Sequence, residues 1–514
     1  MSFASAPAGR AARENASGFR AVHAWPLAAI VLLAVGEQIL LGVNTDVSWN
    51  ITLAERVLDG QRPYIDFIEI NPPSSFLLCL IPTLAARLTG LTPEFMVDVL
   101  CFAAAGASLA LAAAILVESG VIARAAGARL AFVGAAAMLL LPADAFAQRE
   151  DVALIASLPC LAALAVWASR AQVAPVLSAL AGIGAGVAMS IKPHFALFFA
   201  PPFIYLIWGI GWRAALRIEL IVALVVLTLY WVAVAAYFPA FFERAAPMAR
   251  DIYLPVRRPL SALLTDPTCI LWFVLGALLV LAAWKRLAEP LIAVPALASL
   301  GAMAAFVIQG KLWPYQGYPA IALAGLALGP LALEGLADID AAHDARLRQA
   351  IALGCATALA LAGFWLSSRV DKPALARAVA TIGSHPRLLA IGSDIAIGHP
   401  LTREVRGVWV GSLSGLWVTD MSSHALEQGR VGEEARARYE DYLRFDRERL
   451  VADIVGQKPD AILIAGDQWL AWTKRHTDVA ASLANYHWRA TADEVMVYSR
   501  NAAAPPLNSG SDRP

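Results

Sequence analysis

One polar stretch stands out in the apolar first two thirds of the chain. The segment Asn44–Pro73 reads NTDVSWNITLAERVLDGQRPYIDFIEINPP and carries Asp46, Asp66 and Glu69. A second acidic group, Arg149-Glu150-Asp151, lies in AFAQREDVAL. Cations follow: Lys192 and His194 in SIKPHF, four arginines including Arg257 and Arg258 in ERAAPMARDIYLPVRRP, and Lys311 with Trp313, Tyr315 and Tyr318 in QGKLWPYQGYP. A carboxylate can take the proton of an attacking hydroxyl, and Lys or Arg can neutralise a departing phosphate. Carboxylates and cations together suit group transfer from a phosphate-linked donor.

The elements that must hold these residues are apolar. Hydrophobic residues make up 59% of the chain and charged ones 16%, with a mean hydropathy of +0.62, outside the range of soluble domains. Apolar runs long enough to cross roughly 30 Å of hydrocarbon recur from Ala24 to Trp365. Spans are expected near 25–42, 95–118, 128–142, 151–169, 174–191, 194–210, 218–237, 268–284, 290–308, 314–335 and 349–367. The first apolar run follows Arg10, Arg13 and Arg20 and lacks a small-residue cleavage site, so it reads as an uncleaved span. The formal charge is +0, and no basic run marks a nucleic-acid partner. Five scattered cysteines without CxxC spacing read as small core residues.

Residues 74–90 are short, hold Pro82 and end near Arg87, which suits a helix lying in the membrane interface. With that segment outside, the short inner turns carry Arg124 and Arg129, Arg170, Arg213 and Arg217, Lys285 and Arg286, and Arg346 and Arg348, as the positive-inside rule requires. The expected organisation is a cytoplasmic tail (1–23), an α-helical polytopic module of about eleven spans (24–367) with an outer loop at 43–94, a small C-terminal α/β domain outside the membrane (368–500), and a disordered tail (501–514). In that domain Leu388–Ile391, Val408–Val410 and Ala461–Ile464 read as strands, and 432–457 as a charged helix.

Each site residue also has a plainer role. Asp46 suits the N-cap of a helix beginning near Ser48, and Glu69 suits the stop at Asn-Pro-Pro. Arg149–Asp151 suits a solvated turn, and Lys192 a snorkelling lysine. The arginines of 244–258 suit anionic headgroups, and the aromatic residues around Trp313 an interfacial belt.

The order of these elements resembles the GT-C glycosyltransferases of the protein mannosyltransferase and aminoarabinose transferase type. The resemblance spans 24–335 and rests on the Asp-bearing first outer loop, the Tyr-x-Asp-(x)2-Glu-x-Asn-Pro-Pro element (Tyr64–Pro73), the second acidic turn, Lys192-Pro193, and Lys-x-Trp-Pro-Tyr (Lys311–Tyr315). It implies an inner-membrane enzyme that takes a sugar from a polyprenyl-phosphate donor and passes it to a lipid, glycan or protein acceptor on the outer face. It also implies a catalytic carboxylate at Asp46, with Glu150 preferred over Asp151 as the second acid. Many relatives carry Asp-Glu in the first motif, whereas Val47 follows Asp46 here. Glu69 would then be a further catalytic carboxylate, and Asp66, Arg149, Lys192, Arg257, Arg258, Lys311 and Tyr315 candidates for the lipid phosphate and the sugar. No cofactor is implied, and a divalent metal is left open, because three scattered carboxylates without His form a weak ligand set. A transporter or flippase for a lipid-linked or anionic solute is the alternative, but it calls for repeated halves and polar groups at mid-depth. A third reading is a structural subunit of an envelope-polymer assembly.

Overall fold

The computed structural model describes residues 26–333, 345–367, 371–427 and 432–500. The expected tails (1–23 and 501–514) lie outside the described residues, as do residues 25, 334–335 and 368–370 at the edges of the expected first span, tenth span and C-terminal domain. The chain divides into two compact units. One comprises 1–42, 98–229 and 258–368; the other comprises 43–97, 230–257 and 369–514.

The described residues of the first unit form helices joined by turns, with no strand among them. In hydrocarbon every backbone N–H and C=O must be satisfied within the segment, which a helix does and an open strand does not. All eleven expected segments are helical where described. Among the described residues, six helices are long and apolar enough to cross a membrane: Pro93–Glu118, Arg149–Ala168, Pro193–Ile210, Ile218–Tyr237, Pro290–Gln309 and Leu347–Leu366. Pro26–Leu41 and Thr45–Leu58 pass the same test only when taken together. Pro175–Ile191 and Pro267–Ala283 are apolar but shorter. Arg149–Ala168 is the central helix, 78% of its apolar window being buried, against 17% for Ile218–Tyr237. Small residues set the close contacts: a Cβ at Gly182 would meet the Glu219 carbonyl, and one at Gly301 the Leu197 carbonyl. Four of the five cysteines are buried, Cys355 is half-buried, and all are free thiols, which fits packing residues.

The second unit is built on a five-stranded sheet of β1 (Arg387–Ile391), β2 (Val408–Trp409), β3 (Ala461–Ala465), β4 (His487–Ala492) and β5 (Val495–Ser499), in the order β2-β1-β3-β5-β4. β1 pairs in parallel with β2 and β3, and the β4–β5 hairpin adds antiparallel to β3. The three expected strands and the expected helix, found at Glu433–Gln457, are all present. Alternate side chains serve two cores, as a period of two dictates. Leu389, Ile391, Ile462, Ile464 and Met496 pack with Leu450, Ile454, Trp469 and Leu470. Leu388, Ala390, Leu463 and Val497 pack with Leu375 and Val379, and also with Trp49, Leu53, Tyr64, Phe67 and Phe76. The stretch 43–97 is therefore a layer of the same core as the sheet.

Candidate functional site

Within the second unit, Asn44 rather than Asp46 caps the helix Thr45–Leu58; its side chain accepts from the Asp46 N–H at 2.8 Å. Asn is as good an N-cap as Asp. The helix thus begins three residues before the expected Ser48, and half-buried Asp46 sits in its first turn, where the helix dipole favours a carboxylate. Glu69 is 5% exposed. One oxygen accepts from the Trp49 indole at 2.6 Å; the other accepts from the backbone and side chain of Asn71 at 2.9 and 2.5 Å. It fixes the Asn-Pro-Pro turn to the helix bearing Asp46. Asp66 accepts from the Arg62 backbone and guanidinium, and those bonds hold its carboxyl below the usual range.

The same stretch is gripped by loops at the carboxyl ends of β1 and β2. β1 connects outward to β2 and the chain then returns to β3 on its other side, which makes the β1/β3 edge a topological switch point where α/β folds commonly take ligands. Arg56 donates to the Gly411 carbonyl at 2.7 Å, and the Ile68 N–H to the Ser412 carbonyl at 2.8 Å. Arg403 pairs with Glu55 at 2.9 Å and Glu94 at 3.0 Å, and Arg449 donates to the Ile65 carbonyl. His399 is fully buried between Trp49 and Trp409, at ring distances of 5.2 and 4.9 Å. Burial pushes its pKa down to about 3, so the ring is neutral. Sequence reasoning missed Arg403 and His399; Arg403 pairs with Glu55 348 residues away, and His399 packs on Trp49 from the other end of the chain.

In the first unit, Arg149, Glu150 and Asp151 open the central helix, and all three are buried; the solvated-turn reading is corrected. The Lys192 ammonium donates to Glu150 at 2.6 Å, with side chains 8% and 0% exposed, so this lysine does not snorkel. Lys192 stands in the break between Pro175–Ile191 and the 3-10 turn Pro193–Phe198, where Pro193 can donate no N–H and the helix must stop. His194, in that 3-10 turn, lies within electrostatic range of Lys192 and Arg149. Asp151 accepts from Tyr318 at 3.1 Å and from the Ala147 N–H at 2.9 Å, and the Cys101 thiol is 3.7 Å away.

The approach to this helix is irregular. A π-helical turn (Ala136–Leu140), a 3-10 turn (Ala143–Ala145), and positive φ at Ala143 (49°) and Ala147 (59°) precede it. Such departures in a well-packed segment cost free energy and cluster at functional sites. Nothing in the local sequence forecast them.

The remaining candidates lie apart in the chain division. Arg258 belongs to the first unit and Arg257 to the second, and both are exposed. The Arg258 N–H donates to Gly310 at 2.8 Å, one residue before half-buried Lys311. Tyr315 stacks on Trp313 at 5.9 Å. Asp46, Asp66 and Glu69 belong to one unit, whereas Arg149, Glu150, Lys192, Lys311 and Tyr315 belong to the other. Among the described residues no group of three or more His, Cys, Asp or Glu side chains is arranged to hold a metal ion. No family model matches the chain, and no curated protein matches it.

Proposed function

We propose that this protein is a multi-pass inner-membrane glycosyltransferase of the GT-C kind, with about eleven spans and its C-terminal domain on the periplasmic side. The acceptor hydroxyl attacks the anomeric carbon of a polyprenyl-phosphate sugar. The bond from that carbon to the phosphate oxygen breaks with inversion, polyprenyl phosphate leaves, and Asp46 takes the hydroxyl proton. Arg149, Lys192, Arg257, Arg258 and Lys311 meet the phosphate, while Glu150, Asp66 and Tyr315 orient sugar or acceptor hydroxyls. Glu69 acts through Trp49 and Asn71, as the positioning residue of the Asp46 helix.

The observation that carries this reading is the buried Lys192–Glu150 pair, with Arg149 and His194, at the head of the central apolar helix. Ionised groups cost several kcal/mol to bury even when paired, and within apolar bundles they mark substrate pathways. Lys and Arg side chains can neutralise the charge that develops on a departing phosphate.

The test is a transfer assay with the purified protein in lipid nanodiscs, radiolabelled polyprenyl-phosphate sugars and envelope glycolipid acceptors. Asp46→Asn should fold and lose at least about 100-fold in rate, the contribution of a general base. An Asp46→Asn variant as fast as the parent protein would remove Asp46 from the chemistry. A parent protein that transfers no sugar from any such donor would sink the reading as a whole. A compartment-specific reporter fused after Arg500 checks the side of the C-terminal domain.

A further inference from the structure

The C-terminal domain holds a cleft of about 310 Å³ to which the site described above lends no residue. Its walls are two helices. Trp417–Glu427 presents Thr419, Asp420, Ser423, His424 and Glu427, and Gly466–Arg475 presents Gln468, Trp469, Trp472 and Arg475. The spacings 420/423/424/427 and 468/472/475 are the i, i+3/i+4, i+7 stripe of one helical face. The volume is at the lower end for small-molecule sites, roughly 300–1,000 Å³.

The lining chemistry restricts the ligand. Asp420 and Glu427 outnumber the single guanidinium of Arg475, which disfavours a phosphate or other anion. Arg475 in turn opposes a cation. All three are exposed, and among the described residues none of them forms an ion pair. Acceptors (Asp420, Glu427), a donor (Arg475) and groups that do both (Ser423, Gln468) face the same cleft, which suits a ligand rich in hydroxyls, each of them donor and acceptor. The indole of Trp472 offers an apolar face to C–H bonds while its polar surroundings stay wet. That indole is already fixed. Trp469 lies 5.6 Å from it and His476 4.4 Å, with the His476 ring nitrogen 2.8 Å from the Trp472 carbonyl. A ring held before binding loses little freedom on binding.

We propose that this cleft binds a neutral saccharide unit, stacked on Trp472 and hydrogen-bonded by Asp420, Glu427, Gln468 and Arg475. As a binding site it stands alone. As the place where a glycan acceptor docks, it rests on the glycosyltransferase reading.

The test is saturation-transfer NMR on the full-length protein in detergent, with neutral trisaccharides of glucose, galactose, mannose and N-acetylglucosamine, and with trilysine and inorganic phosphate as controls. At least one trisaccharide should bind saturably with a Kd near ~1 mM. Trp472→Ala should weaken it at least tenfold, Trp472→Phe less, and the exposed substitutions Asp420→Asn and Glu427→Gln should each weaken it without changing the Tm. Binding by none of the trisaccharides at about 10 mM, binding of the controls in their place, or undiminished binding by Trp472→Ala and Glu427→Gln would each overturn the assignment. Asp46→Asn should bind like the parent protein. Saccharide binding without sugar transfer therefore removes the enzyme reading and keeps the cleft; transfer without saccharide binding does the reverse.

Discussion

Trp49 donates its indole N–H to Glu69 at 2.6 Å across a buried contact. That bond ties the loop ending in Pro72-Pro73 to the helix that carries Asp46 three residues earlier. Glu69 is thereby committed on both oxygens, to Trp49 and to Asn71.

Replacing Glu69 tests scaffold against chemistry. Glu69→Ala strands the Trp49 N–H and two Asn71 donors and should cost roughly 3 kcal/mol, read as a lower midpoint in chemical denaturation. Glu69→Gln still accepts from Trp49. It turns its amide NH2 toward the two Asn71 donors, so it should lose part of that stability, less than Ala does, and still transfer sugar within about tenfold of the parent rate. A Gln variant that folds at the assay temperature and transfers nothing would return Glu69 to the reacting groups.

The pair Lys192–Glu150 separates by a double variant. Lys192→Met leaves Glu150 buried without its cation and should destabilise by about 3–5 kcal/mol. Lys192→Met with Glu150→Leu removes both charges and should recover most of that stability, since apolar replacements of buried pairs are often neutral. The double variant should be folded and inactive. An unchanged Tm for Lys192→Met alone would show that the pair contributes nothing to the fold.

Much of this architecture is legible in the sequence because it is local. The apolar segments repeat at helical length, the strands of β1 and β3 are short apolar runs between polar turns, and the Glu433–Gln457 helix is a long charged stretch without Gly or Pro before Gly456. The β4–β5 hairpin escaped because its turn, Asp493-Glu494, takes φ of 48° and 63° without the Asn-Gly or Asp-Gly signature that such turns usually carry. The membership of 43–97 in the sheet's core escaped for a different reason. It is made by pairs such as Arg56–Gly411 that no periodicity links. For the candidate site, residue types and turns were visible, but the Lys192–Glu150 partnership, 42 residues apart, and the engagement of Glu69 were not.

Acidity offers a separate handle on the second unit. Asp446 is fully buried, accepts from the Thr419 N–H and hydroxyl at 2.8 and 2.7 Å, and burial raises its pKa to about 7. The folded state thus holds a proton that the unfolded state releases near the ordinary value of 3.8. That contribution is complete below pH 3.8 and is lost as pH rises through about 7. His399 acts oppositely. With its pKa lowered from 6.5 to about 3, its contribution is complete above pH 6.5 and lost on acidification. Comparing Asp446→Asn with the parent protein isolates the first effect: the variant's Tm relative to the parent should rise between pH 5 and pH 8. A difference that stays constant across that interval would rule out a titrating Asp446.

Helix contact in the first unit is probed at Gly301. A Cβ there would fall on the Leu197 carbonyl, with Pro201 also near, so backbone must give way rather than a flexible side chain. Gly301→Ala should lower the yield of monodisperse protein and the Tm, whereas Gly276→Ala, where a Cβ meets nothing within 4 Å, should leave both unchanged. Equal behaviour of the two would mean that this helix pair has slack.

The grip of the sheet loops on residues 43–97 also sets an order of events during synthesis. Arg56 and its acceptor Gly411 are 355 residues apart, which is roughly 20–70 s of translation at ordinary rates. The stretch holding Asp46 is thus made among the first and completed among the last. Until the sheet emerges, Trp49, Tyr64, Phe67 and Phe76 lack one of the layers that cover them. A ribosome that stops short of β3 would leave a nascent chain with that side of the aromatic cluster uncovered, a ready target for quality-control proteases. Truncation of the C-terminal domain should accordingly be read out first at the opposite end of the protein.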